Sequence, residues 1–124
     1  MKVSSRRYAN AVVLRVEGRL DQDTCAAFTS DIMAHVKSDA HSGGAVVLDL
    51  SGLEYISSAG LRCFMLASRQ AKTQSGRILV ASLQPMVAEI FEISHFNLVF
   101  AVFPTVREAL AAVSADAVAA FEKG

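Results

Sequence analysis

The stretch AVVLDLSGLEYISSAGL, residues 45–61, decides how this chain is read. Ala45 to Leu48 is an unbroken apolar run, the pattern of a strand covered on both faces. The strand is expected over Ala45–Leu50, with Asp49 near its end and a short polar turn beyond. A Ser-Ser-Ala-Gly cluster (Ser57 to Gly60) leads into LRCFMLASRQAK, where Leu61, Phe64, Met65 and Ser68 fall at helical spacing. A strand that delivers a serine to the mouth of a helix sets a hydroxyl where free backbone N–H groups converge. That position suits a phosphate, bound or covalently attached. It equally suits an ordinary N-cap, worth about 1 kcal/mol.

Working toward the N-terminus, Lys2–Tyr8 and Ala11–Glu17 are separated by Ala9-Asn10, which reads as a β-hairpin. Gly18-Arg19-Leu20-Asp21 breaks the second strand. Asp21, Asp23 and Thr24 are good N-caps for an amphipathic helix over Thr24–Lys37, with Phe28, Ile32 and Val36 at i, i+4, i+8. SDAHSGG, residues 38–44, reads as a loop. Toward the C-terminus, the helix after Ser58 ends near Gln74-Ser75-Gly76, where Gly76 suits a left-handed cap. Arg77–Ser82 is a short buried strand, and Pro85 opens the next helix at its first position. Val99–Phe103 is the last strand. Thr105 and Glu108 form a T-x-x-E capping box for a helix through Val113. Residues 1–113 are therefore one domain, and 114–124 an alanine-rich tail or an extension of the last helix.

The element order is β-β-α-β-α-β-α-β-α. That alternation after an opening hairpin implies an α/β fold: a mostly parallel central sheet with an antiparallel edge and helices on its faces. With 124 residues and 52% apolar composition, the chain can bury a core without metal or disulfides. Its formal net charge of +0 removes the simplest electrostatic argument for nucleic acid or an anionic membrane as partner. No stretch approaches the roughly 18 apolar residues of a membrane helix. Cys25 and Cys63 lack C-x-x-C spacing and read as reduced thiols of an intracellular, cytoplasmic protein.

The run DLSGLEYISSAGL resembles the signature of STAS domains, the fold of bacterial anti-sigma factor antagonists. GRLD at residues 18–21 is similar to the family's turn after its second strand. The stretch from Met86 through Leu110 is similar to its third helix, fifth strand and capped last helix. The resemblance implies a STAS fold and a protein-binding module with no catalysis and no cofactor. It further implies a partner: an anti-sigma factor serine kinase that phosphorylates the second serine of the cluster, here Ser58, with Ser57 the weaker candidate. Ser57 stands where the best-known form of the signature has Asp. By the same resemblance, Asp21 and Asp49 are partner-contacting acids on the rim that carries Ser58; read alone, each is a turn or cap carboxylate. Leu66 falls on the side of Arg62 and Arg69, so these three, with Ser57, complete the expected docking surface. The alternative is a STAS subunit of a transporter or stress-signalling complex that is not phosphorylated.

Other chemistries lack their residues. A nucleophile elbow needs G-x-S-x-G, and Ile56 occupies the first glycine position. No dinucleotide or P-loop glycine fingerprint is present. His35, His41 and His95 are scattered without ligand spacing, so no metal is expected.

Overall fold

The computed structural model describes residues 1–39, 45–73 and 77–124. Strand β1 (Lys2–Tyr8) and strand β2 (Ala11–Leu20) pair antiparallel from Lys2↔Glu17 to Tyr8↔Ala11. Ala9 makes the reversal at φ 55°, a left-handed conformation that a side chain disfavours. Strands β3 (Ala45–Ile56), β4 (Arg77–Ala81) and β5 (Ala101–Phe103) then add in parallel, so the sheet order follows the chain: β1-β2-β3-β4-β5. The mostly parallel α/β sheet with one antiparallel edge is as expected.

Ala11–Leu14, Ala45–Leu48 and Leu79–Ala81 are apolar because each face of the sheet is covered there. Val12, Leu14, Val16, Val46, Leu48, Leu50 and Val80 point to one side. There they meet helices α1 (Cys25–Asp39), α2 (Ser58–Thr73), α3 (Pro85–Ile93) and α4 (Phe96–Val99). Phe64 of α2 anchors that layer, stacked on Phe28 at 5.6 Å and edge-on to Phe100 at 4.8 Å. Ala11, Val13, Ala45, Val47, Leu79 and Ala81 point the other way, against α5 (Val106–Val113) and α6 (Ala115–Glu122).

Five local expectations are corrected. β2 does not stop before Gly18; that glycine takes φ +104° within a register shift, and the strand continues to Leu20. β3 runs on to Ile56 instead of ending at Leu50. Leu50, Leu53 and Ile56 are buried while Ser51 and Glu54 are exposed, so the polar residues mark an open face, not a turn. Val99 closes the short α4, and β5 is only Ala101–Phe103. Residues 114–124 neither fray nor extend α5. Ser114 has extended backbone, accepts the Ala117 N–H at 3.0 Å, and starts α6 as a separate helix whose Ala117 is fully buried. Finally, Cys25 and Cys63 are not a pair of free thiols. Their Cα atoms are 5.9 Å apart and the two are joined as a disulfide between α1 and α2.

The expected loop ends (residues 40–44, with His41) and the Gly76 cap lie outside the described residues.

Candidate functional site

The rim where β2 and β3 end is assembled by backbone bonds. Leu20 and Ile56 form the last rung of the two strands. The carbonyl of Leu20 then accepts the Ser57 N–H at 3.0 Å, which carries the strand pairing into the mouth of α2. The Ser57 carbonyl accepts the Leu61 N–H at 2.8 Å, and its Oγ accepts the Gly60 N–H at 3.0 Å. Ser57 is thus the N-cap. A Cβ at residue 60 would collide with the carbonyl of Leu20, so glycine there is what lets the helix end approach the strand.

Because Ser57 does the capping, Ser58 is released from it. Ser58 is the first residue of α2, is exposed, and its hydroxyl makes no hydrogen bond among the described residues. It sits in the first helical turn, where N–H groups lack intrahelical acceptors and the helix dipole is positive. No acidic residue occupies that turn. A phosphoryl group on Ser58 therefore meets favourable charge and displaces no structural bond.

Such a rim ends a five-stranded sheet of order β1-β2-β3-β4-β5, and the STAS domain model matches residues 2–109. The chain belongs to that family. It is 34% identical over 112 residues to a Bordetella bronchiseptica protein named anti-sigma factor antagonist BtrV, covering 90% of this chain and 93% of that one. Among solved structures it resembles an anti-sigma factor antagonist from Mycobacterium paratuberculosis (24% identity, 90% and 92% coverage, TM-score 0.75). It also resembles the anti-sigma factor antagonist SpoIIAA, solved unphosphorylated (19% identity, 90% and 96% coverage, TM-score 0.70). For phosphorylated SpoIIAA, from Bacillus, the figures are 18%, 91% and 100%, and 0.65.

In this STAS domain the expected site residues divide into two groups. Asp21 follows Leu20 directly and stays on the rim. Its Oδ1 accepts the N–H groups of Asp23 at 3.0 Å and Thr24 at 3.2 Å, so its carboxylate shapes the turn into α1. Arg62 and Leu66 stand at i+4 and i+8 from Ser58 and are exposed, Leu66 at 53%; the three form one ridge along the outside of α2.

Asp49 lies on another face, and Arg69 lies on the same side of α2 but farther along it. Asp49 lies within β3, not at its end, and accepts the Ser51 N–H at 3.0 Å. It alternates with Ala45 and Val47 and so faces α5 and α6, away from Ser58. The expected shared rim fails because β3 continues seven residues beyond Asp49. Arg69 is eleven residues along α2 from Ser58, about 16 Å at 1.5 Å per residue, beside the start of β4.

Two rim neighbours escaped the sequence reading. Arg19 and Tyr55 are register partners, with the Arg19 guanidinium 4.6 Å from the centre of the Tyr55 ring. Arg19 lies in GRLD and Tyr55 in DLSGLEYISSAGL, but nothing in either run pairs them; only the late end of both strands brings them together. Among the described residues no cluster of His, Cys, Asp or Glu is arranged to hold a metal, and no helix is long and apolar enough to cross a membrane.

Proposed function

We propose that this STAS domain is a phospho-regulated anti-sigma factor antagonist acting in the cytoplasm, where its partner kinase, ATP and sigma factor are found, although the Cys25–Cys63 disulfide is a link that a reducing cytosol opposes. It binds a kinase-type anti-sigma factor while Ser58 is free, which releases a sigma factor, and lets go once the kinase has phosphorylated Ser58. The kinase supplies ATP and the divalent cation; this chain binds and is modified, with no catalysis of its own. Ser57 is the weaker acceptor because its Oγ is engaged as the cap. The observation that carries the reading is the division of labour between neighbours: Ser57 holds the helix, and Ser58 is left exposed with an uncommitted hydroxyl.

Two further points support it. The relative matched over 93% of its length carries the antagonist name, and this favours antagonism over the transporter-subunit alternative. Phosphorylation adds about −1.5 to −2 charge at neutral pH. On the Ser58–Arg62–Leu66 ridge that charge is tolerated by the helix and forced against anything docked there. Asp21, Ser57, Arg62 and Leu66 are assigned to the docking surface. Asp49, on the α5–α6 side of the sheet, is at most peripheral to it; Arg69 stands on the same helix face as Ser58, about 16 Å farther along.

The test is to incubate the chain with a cognate anti-sigma kinase and ATP, then map phosphate by mass spectrometry. One phosphate at Ser58 is expected. Ser58→Ala should take none yet still bind the kinase, and Ser58→Asp should fold but bind poorly. Phosphate confined to Ser57, or tight binding by Ser58→Asp, overturns the proposal.

A further inference from the structure

At the opposite end of α2 from Ser58, the sheet leaves a gap. β5 begins at Ala101 opposite Leu79, so the first two residues of β4, Arg77 and Ile78, have no strand beside them on that edge. The gap opens into a groove of about 400 Å³ between α2, β4 and the segment entering β5. That volume lies within the roughly 300–1,000 Å³ of small-molecule sites.

The groove has two chemistries. Its floor and one wall are apolar, formed by Met65, Ile78, Val99 and Phe100; Phe100 is 5% exposed and fixed in the aromatic cluster around Phe64, whereas Val99 is 63% exposed. Its rim carries three cations, Arg69, Lys72 and Arg77, and among the described residues no acidic one lines it. None of the three forms an ion pair among the described residues, although the chain as a whole balances 12 basic against 12 acidic side chains. The three cations give the opening a positive potential, which complements an anion bound among them. The apolar floor would gain by covering, which a bare inorganic ion cannot provide.

We infer that this groove is a binding site for a small organic anion, one with a compact apolar or aromatic body and a single carboxylate, sulfonate or phosphate group. The body covers Ile78, Val99 and Phe100, and the anionic group sits among Arg69, Lys72 and Arg77. The site is separate from the Ser58 ridge and does not depend on the proposed phospho-regulation.

The probe is 1-anilinonaphthalene-8-sulfonate, titrated into the 124-residue chain and followed by fluorescence and by backbone amide NMR. One saturable site is expected, with shifts centred on Met65, Ser68, Ile78 and Phe100. N-phenyl-1-naphthylamine, the same aromatic body without the sulfonate, should bind at least about ten-fold more weakly. Inorganic phosphate at millimolar concentration should leave those amides in place. Lys72→Glu/Arg77→Glu should lose about ten-fold in probe affinity, and Lys72→Gln/Arg77→Gln should lose less, both with unchanged circular dichroism. Equal binding of the neutral and anionic probes, equal shifts with phosphate alone, or shifts centred on Ser58 and Leu66 would each overturn the inference. A charge-reversed variant that misfolds leaves the glutamine variant and the two comparison ligands to decide it.

Discussion

The carbonyl of Leu20 occupies the space that any side chain at residue 60 would need. Strand and helix meet there backbone to backbone, with the Ser57 N–H bound to the same Leu20 oxygen at 3.0 Å. The rim is built on this contact. Gly60→Ala should therefore lower the urea unfolding free energy by roughly 2–3 kcal/mol, the upper range for overpacking, because the atom in the way is backbone and cannot rotate aside. An unchanged midpoint would mean that α2 slides freely along the sheet.

The two neighbouring serines should separate cleanly in stability. Ser57→Ala removes the cap on the Gly60 N–H and should cost about 1 kcal/mol. Ser58→Ala removes an exposed hydroxyl with no bond to lose and should cost under about 0.5 kcal/mol. Ser58→Asp should be neutral or stabilising by about 0.3–1 kcal/mol, since it adds negative charge at a helix N-terminus, and the gain should fade in high salt. Chemical denaturation of the three variants measures the order; a larger loss at position 58 than at 57 would reverse the assignment of the cap.

The ridge on α2 can be tested without touching Ser58. Leu66→Asp and Arg62→Glu alter exposed positions and should each shift stability by under about 0.5 kcal/mol. Both should nonetheless weaken capture of a cognate anti-sigma kinase in a pull-down. If Leu66→Asp unfolds the chain, the residue is part of the core and the ridge is not a docking surface.

The Cys25–Cys63 link closes a loop across a separation of 38 residues. Loop-closure entropy assigns such a link roughly 3–4 kcal/mol. Adding reductant should then lower the thermal midpoint by on the order of 10 °C for a domain of this size. The non-reduced protein should weigh less than the reduced one by two hydrogens. Cys63→Ser should behave as the reduced form in both oxidising and reducing buffer. Identical masses with and without reductant would show the thiols to be free.

What the sequence revealed follows how locally each feature is encoded. Pro85 starts α3, and Thr105 accepts the Glu108 N–H at 3.2 Å, as spacing within one turn predicts. The alternation of strands and helices, and the serine cluster at the head of α2, were equally legible. The failures are long-range. Ser51, Gly52 and Glu54 look like a turn until β2 is seen beside them. A Cβ on Gly52 would run into Glu17, so the glycine is needed for strand approach, not for chain reversal. Ser114 reads as the start of a tail although it caps Ala117 within one turn; what anchors that turn is Asn10, 104 residues away, whose side-chain oxygen accepts the Ser114 hydroxyl at 2.7 Å. The pairing of Cys25 with Cys63 likewise depends on how α1 docks against α2. In the candidate site, neighbours along the helix (Ser58, Arg62, Leu66) were readable, whereas Asp49 was misplaced because the end of its strand was.

The two covers of the sheet are unequal. One holds Phe28, Phe64, Phe91, Phe96 and Phe100 in a single aromatic cluster. Beneath α5 and α6 the fully buried helix residues are only Ala109, Leu110 and Ala117. Less apolar area holds that second layer down, so it should open at lower free energy than the rest, and its amides should exchange with solvent first. The back layer is thus expected to open before the front one. Under the proposed phospho-regulation, a kinase docking at Ser58 would meet the more tightly packed layer, with the looser one across the sheet from it.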